Sequence, residues 1–210
     1  MKQKIDVSKW NRKEHFELFS KMDSPYVGIV TDVDCTNAYR YCKTHKISFF
    51  ATYLHDSMKA INQVSAFKYR IEEDGVYLYD TLDAGTTIGR PDGTFGFAFM
   101  KYDADFEIFN QRLQEQIAMV NSQDGLCVRN EDLTLGLVRH STFPWSKFSG
   151  LIQPTNFNYL ESIPRIIFGK AFEENGQMRL PLSIEGNHGL IDGFHIAQYL
   201  THFEAALSTH

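Results

Sequence analysis

The sequence is poor in the features that mark disulfide-rich and membrane-embedded proteins. Its three cysteines, Cys35, Cys42 and Cys127, are odd in number and lack C-x-x-C spacing. That pattern argues against a disulfide framework and against a structural zinc site. The chain has no apolar run of membrane-spanning length and no apolar signal-peptide core after Met1. We therefore expect reduced thiols in a soluble, cytoplasmic protein.

Basic charge is scarce as well. The 21 Lys and Arg residues are scattered and are outnumbered by 26 Asp and Glu, which gives a net charge of −5. No basic patch for nucleic acid is therefore predicted. What the sequence does contain is apolar and aromatic: 43% of its 210 residues are hydrophobic, with 17 Phe and 10 Tyr. This is enough for a sizeable core, and no Pro/Gly/Ser-rich linker interrupts it, so residues 1–210 are expected to form one domain.

Helical and strand periodicities are mixed along the chain and predict an α+β fold. An N-cap at Asn11 with a reciprocal Glu14 should start the first helix. Further helices are predicted within 35–66 (two), at 106–120 and at 193–207. Strands are predicted at 26–34, 67–71, 76–79, 133–138, 165–172 and 178–185, with a further pair meeting at 91–93. A turn at 72–75 should join two of them as a hairpin.

An H-x-x-x-D-G motif, His188 to Gly193, lies between a predicted strand and the last helix. A neutral imidazole can accept a proton near pH 7, and a turn at this place can present it into a cleft. His188 is therefore a candidate general base. Two alternatives stay open from the residues alone: a hydrogen-bonded core histidine, and a metal site formed by His188, Asp192 and His195.

Two distant motifs occur together in this chain. One is W-x-R-K-E-H-F, from Trp10 to Phe16, and the other is H-x-x-x-D-G-F-H, from His188 to His195. Between them, S-T-F-P-W at 141–145 and the turn at 72–75 follow in the same order. With these motifs the chain resembles the chloramphenicol acetyltransferases over nearly its whole length.

The resemblance implies a two-layer CoA-dependent acyltransferase fold, a mixed β-sheet with helices packed on one face. It implies transfer of an acetyl group from acetyl-CoA to the hydroxyl of a small acceptor, with chloramphenicol and antibiotic resistance as the family's role. No metal is implied. The family forms homotrimers whose active sites lie between subunits, so a cyclic homotrimer is expected.

The resemblance also assigns roles to single residues. His188 matches the general base, with its tautomer fixed by a bond from the other ring nitrogen to its own carbonyl. Ser141 matches the hydroxyl that stabilises the tetrahedral oxyanion; without the resemblance it would be read as a strand-end serine. Arg12 and Asp192 match a buried ion pair that shapes the active-site turn. Lys46 and Lys170 match coenzyme contacts, and the acceptor-site positions are Phe95, Phe19, Leu151 and Gln153.

The chain departs from the family pattern around the acceptor. Asn187 replaces a histidine, Phe19 a tyrosine and Ile167 a threonine, while Leu151 and Gln153 stand where the family has Phe and Leu. These changes leave two alternatives: the same chemistry on another alcohol or an amine, or a non-catalytic trimeric homologue that binds a ligand. The acyltransferase cores of 2-oxo acid dehydrogenase complexes share H-x-x-x-D-G, but this sequence shows no lipoyl or linker segment, so membership of such a complex is not expected.

Overall fold

Helices form where apolar residues recur at helical spacing. The computed structural model describes residues 1–129, 134–155 and 161–210. The helices are α1 (Lys13–Phe19), α2 (Thr36–His45), α3 (Phe49–Gln63), α4 (Phe106–Ser122) and α5 (Gly193–Ser208). Side chains of Ser48, Asp105 and Asp192 accept first-turn N–H groups and so fix where α3, α4 and α5 begin. Among the residues described, no helix is long and apolar enough to span a bilayer.

The strands form two sheets. They are β1 (Lys2–Lys4), β2 (Tyr26–Asp34), β3 (Tyr69–Glu72), β4 (Gly75–Tyr79), β5 (Asp83–Gly89), β6 (Phe95–Met100), β7 (Leu137–Phe143), β8 (Arg165–Gly169), β9 (Phe172–Glu174) and β10 (Gln177–Asn187). The small sheet has the order β1-β4-β3. The large sheet has the order β2-β10-β8-β7-β5-β6, with β9 beside β10. Because β7 runs parallel to β5 and β8 while the other pairs are antiparallel, the sheet is mixed, as predicted.

One face of the large sheet is covered by helices. Leu180, Leu182 and Ile184 alternate along β10, and each is at most 1% exposed. The facing stripe of α5 consists of Ile196, Tyr199, Phe203 and Leu207. Burying each large aliphatic side chain stabilises the fold by about 1.5–3 kcal/mol. This core confirms the expected two-layer α+β class.

The opposite face of the large sheet, which we call the open face, carries the polar positions of the strands. Strand register places Ser183 of β10 opposite Ile167 of β8, and Ile167 opposite Ser141 of β7. Residues opposite one another in register share a face, since side chains alternate along a strand. Ser141 therefore projects from the interior of a strand into the open face.

Three local predictions were wrong. Arg12, not Asn11, is the N-cap residue of α1, and no side chain caps it. The strand predicted at 133–138 is observed as β7, which begins at Leu137, and Leu133 lies outside the described residues. The strand predicted at 165–172 ends at Gly169, because the Lys170 N–H bonds to the Ser146 carbonyl (3.0 Å) instead of continuing the ladder.

Candidate active site

The H-x-x-x-D-G motif forms a short turn between β10 and α5. The His188 N–H donates to the Pro25 carbonyl at 2.6 Å, which continues the β10–β2 ladder by one residue. The Leu190 and Ile191 N–H groups both donate to the Asn187 carbonyl at 2.9 Å. These bonds reverse the chain immediately after His188 and leave its side chain half-buried at the end of the sheet.

The imidazole of His188 is held in one orientation. Its Nδ1 lies 2.9 Å from the Ile191 carbonyl, and because a carbonyl only accepts, Nδ1 carries the proton and donates. Nε2 is then left with a free lone pair. The expected bond to the carbonyl of His188 itself is wrong: that oxygen accepts from Arg12 Nη2 at 3.1 Å. The Phe19 ring stacks on the imidazole, with the ring centroids 3.9 Å apart.

Arg12 and Asp192 meet beneath this turn. Arg12 Nη1 lies 2.6 Å from Asp192 Oδ2, and the arginine side chain is only 9% exposed. Together with its bond to the His188 carbonyl, the guanidinium joins the start of α1 to both ends of the turn. Burial raises the pKa of Asp192, but the Arg12 hydrogen bond and the charges of His195 and Arg12 outweigh it, so the net pKa lies below its ordinary value.

Asp192 and His195 form a capping box at the start of α5. The Asp192 carboxylate accepts from the Phe194 N–H at 3.1 Å, and His195 Nδ1 accepts from the Asp192 N–H at 3.1 Å. Burial lowers the pKa of His195, and although Asp192 opposes this, the net pKa stays below the usual histidine value. Two of the three side chains in the metal alternative, Asp192 and His195, are thus used to start the helix.

Ser141 has a hydroxyl partner that sequence reasoning missed. Its Oγ lies 2.9 Å from Thr87 Oγ1, across the β7–β5 pair. Either hydroxyl can donate, so Thr87 can accept the serine proton or orient the serine lone pair. The run Gly85-Thr86-Thr87 has no motif character, and only the register of β5 and β7 brings Thr87 to this place.

Ser141 and His188 of one chain are far apart. Ser141 is in register with Ser183, two strands away, and His188 is five residues beyond Ser183 along β10. At about 3.3 Å per residue and 4.8 Å per strand, the separation is about 16 Å along the strands and about 10 Å across them. One acetyl group cannot contact both side chains of the same chain.

The remaining predicted site residues lie on or near the surface. Lys46, at the end of α2, and Lys170, after β8, are both exposed. Phe95 on β6 is 46% exposed, and Leu151 is 37% exposed. Gln153 is half-buried, and its Nε2 has no hydrogen-bond partner among the described residues. Among the described residues, no hydrogen bond or ring contact joins these side chains to His188, whereas the Phe19 ring stacks on it.

Comparison with known proteins gives consistent results. The family model described as chloramphenicol acetyltransferase matches residues 2–204. The chain is 25% identical over 209 residues to a chloramphenicol acetyltransferase of Campylobacter coli, covering 98% of each chain. A solved chloramphenicol acetyltransferase superposes with a TM-score of 0.92 at 31% identity, covering 99% of this chain and 100% of that one. A probable dihydrolipoamide acetyltransferase from Listeria monocytogenes, with a TM-score of 0.67 at 14% identity over 93% of this chain and 89% of that one, shares the fold.

Proposed function

This chain belongs to the chloramphenicol acetyltransferase family, and from that premise we propose that it transfers the acetyl group of acetyl-CoA to a hydroxyl of chloramphenicol. The observation that carries the proposal is the hydrogen bond from His188 Nδ1 to the Ile191 carbonyl. It leaves Nε2 as the basic nitrogen, aimed away from the turn. A fixed tautomer with a free lone pair is what a general base requires.

The reaction follows from that nitrogen. Nε2 of His188 takes the proton of the acceptor hydroxyl while the oxygen attacks the thioester carbonyl, forming a C–O bond and a tetrahedral oxyanion. When the oxyanion collapses, the C–S bond breaks, and the imidazolium returns its proton to the departing CoA sulfur. The Ile191 carbonyl holds the Nδ1 proton throughout. Such a base contributes about 10²–10⁴ in rate.

Ser141 is proposed as the donor to the oxyanion. A preorganised hydroxyl aimed at developing charge contributes about 10²–10³ in rate. Its partner Thr87 supports this role, because the Ser141 hydrogen stays free for the oxyanion when the Thr87 hydroxyl donates to Ser141 Oγ. Ser141 stands inside β7 on the open face, where an acceptor and a thioester can reach it.

The proposed active site is shared between chains. The two residues of one chain are separated by about 16 Å along the strands, so we propose a cyclic homotrimer in which His188 of one chain faces Ser141 of its neighbour. Near His188, Leu18 and Phe194 are 56% and 68% exposed, which supports a protein contact there.

The substrate contacts are proposed by family match. Lys46 and Lys170 would meet the anionic coenzyme, which their exposure and charge support. Phe19, Phe95, Leu151 and Gln153 would line the acceptor. The Nε2 atom of Gln153 has no hydrogen-bond partner among the described residues, which favours a substrate that can accept a hydrogen bond there. The alternative substrate class is another alcohol or an amine.

We propose that residues 1–210 form one domain that works in a reducing cytoplasm. The buried apolar cluster is continuous from Val33 on β2 to Leu207 on α5, which supports a single folding unit. Cys35, Cys42 and Cys127 are free thiols, as a reducing compartment keeps them. Burial raises the pKa of the Cys35 thiol to about 12 and so keeps it unreactive at neutral pH.

The test of this function is the variant His188→Ala. Thiol release from acetyl-CoA in the presence of chloramphenicol should fall by about 10²–10⁴, while light scattering shows an unchanged assembly. His202→Ala, a half-buried histidine on α5, is the control and should retain turnover. Near-normal activity of the His188 variant would overturn the assignment. Turnover of the wild type on other acceptors but not on chloramphenicol would support the alternative substrate class.

A further inference from the structure

We propose that Asn187 is a positioning residue for His188, and that its side-chain amide sets the direction of the imidazole. The inference rests on the proposed function. Asn187 is 2% exposed and stands where the family resemblance places a histidine. It touches no reacting atom and acts through the turn that follows it.

The side-chain amide of Asn187 joins the turn to the separate chain segment that contains Glu161. Asn187 Oδ1 accepts from the Gly189 N–H at 2.9 Å, and Nδ2 donates to the Glu161 carbonyl at 3.2 Å. The backbone carbonyl of Asn187 accepts from Ile191, whose own carbonyl accepts from His188 Nδ1. The group that orients the imidazole is therefore held by the Asn187 backbone, and the side-chain amide fixes that backbone through its bonds with Gly189 and Glu161.

Glu161 is a fixed anchor for this amide. Its carboxylate is 5% exposed and pairs with Arg139 of β7 and Arg165 of β8, and Arg165 also contacts Glu185 of β10 at 2.9 Å. Three strands thus hold the segment whose carbonyl receives Asn187 Nδ2. A displacement of the turn would break this buried bond.

The backbone of the turn passes close to the Asn187 amide. A Cβ at Gly189 would lie 3.1 Å from Asn187 Oδ1 and 3.3 Å from the Phe16 ring, so the turn passes close to both. An amide supplies one acceptor and two donors and does not titrate. A histidine here offers one donor and one acceptor only while neutral, whereas the two hydrogen bonds of the Asn187 amide do not depend on a titrating group at this position.

The test compares Asn187→Ala with a matched control. The control is Asn62 on α3, whose side-chain amide also donates to and accepts from backbone groups. Its Nδ2 donates to the Met58 and Leu82 carbonyls, and its Oδ1 accepts from the Leu82 N–H. We expect kcat of Asn187→Ala to fall by about 10²-fold with KM unchanged, since a misplacement of about 1 Å costs that much. Asn62→Ala should keep kcat, and Asn187→His should restore most of the activity.

A second readout does not depend on turnover. Nitrogen-15 NMR reports which ring nitrogen of His188 is protonated, and the His188→Ala spectrum identifies its signals. The wild type should show protonated Nδ1, and Asn187→Ala should show a mixture of tautomers. If the alanine variant does not assemble, Asn187→Asp, which keeps the acceptor for Gly189, replaces it in both measurements. An unchanged tautomer with unchanged kcat, or an equal loss of kcat in Asn62→Ala, would overturn the proposal. Loss of wild-type acetyl transfer alone would overturn only the proposed function.

Discussion

At the scale of single residues, the hydroxyl pair on the open face gives a graded prediction. Ser141→Ala should lower kcat by about 10²–10³, because the oxyanion loses its donor. Thr87→Val keeps the shape and removes only the hydroxyl that orients Ser141, so the expected loss is about fivefold. Steady-state thiol release with saturating acetyl-CoA measures both.

Thr86→Val is the control for that pair. Thr86 is the next residue on β5, is 2% exposed, and its Oγ1 has no hydrogen-bond partner among the described residues. Its side chain points to the other face of the sheet, so the variant should retain kcat. If Thr86→Val lost as much activity as Thr87→Val, the effect would come from packing of β5 and not from the hydroxyl pair.

The site residues that the sequence revealed belong to local motifs, whereas the residue that it missed is placed by the pairing of distant strands. His188 and Asp192 lie four positions apart on one turn, so a local motif reveals them. Arg12 is 180 positions from Asp192 and is found only because its own motif is distinctive. Thr87 has no motif, and its contact with Ser141 depends on strand register, which local patterns do not encode.

At the scale of elements, the ion pair between Arg12 and Asp192 should contribute more to the free energy of unfolding than the exposed pair between Lys13 and Glu17. Arg12→Met leaves the Asp192 charge without its partner, and we expect a loss of about 3 kcal/mol in the free energy of unfolding. The control is Lys13→Met, which removes the exposed pair with Glu17 (3.9 Å, side chains 47% and 53% exposed). That loss should stay below about 1 kcal/mol. Urea unfolding of the assembled protein compares the two.

The pH dependence of this loss has a definite sign. The folded-state pKa of Asp192 is below its ordinary value, so its contribution to stability is present above that ordinary value of about 4 and disappears as the pH falls through the folded pKa. The difference between wild type and Arg12→Met should therefore shrink in acid. A difference that stayed constant from neutral pH into strong acid would contradict an ionic origin.

Elements with a clear period were predicted well, and those decided by distant contacts were not. The stripe of α5 and the alternation of β10 gave near-correct bounds, because each buries one face. The end of β8 was missed because a single bond from the Lys170 N–H to Ser146 interrupts the ladder. The N-cap of α1 was misplaced by one residue, and no side chain accepts the first-turn N–H groups of that helix.

At the scale of the whole molecule, the strand register indicates that the proposed active site needs more than one chain. His188 directly follows the last residue of β10, while Ser141 lies inside β7, two strands away. The proposed general base and the proposed oxyanion donor can serve one reaction only if they come from different chains. The proposed cyclic homotrimer, in which each chain faces its neighbour, would provide this at every interface.

Mixed assemblies of two inactive chains provide the decisive measurement. His188→Ala and Ser141→Ala chains are unfolded together in equal amounts and refolded. In a cyclic trimer that contains both, only one interface joins an intact His188 to an intact Ser141, so random mixing should restore about a quarter of wild-type activity. Each variant refolded alone is the control and should stay nearly inactive. If the site were built within one chain, every mixture would contain two kinds of damaged site and no intact one, so the mixture would be no more active than its parents.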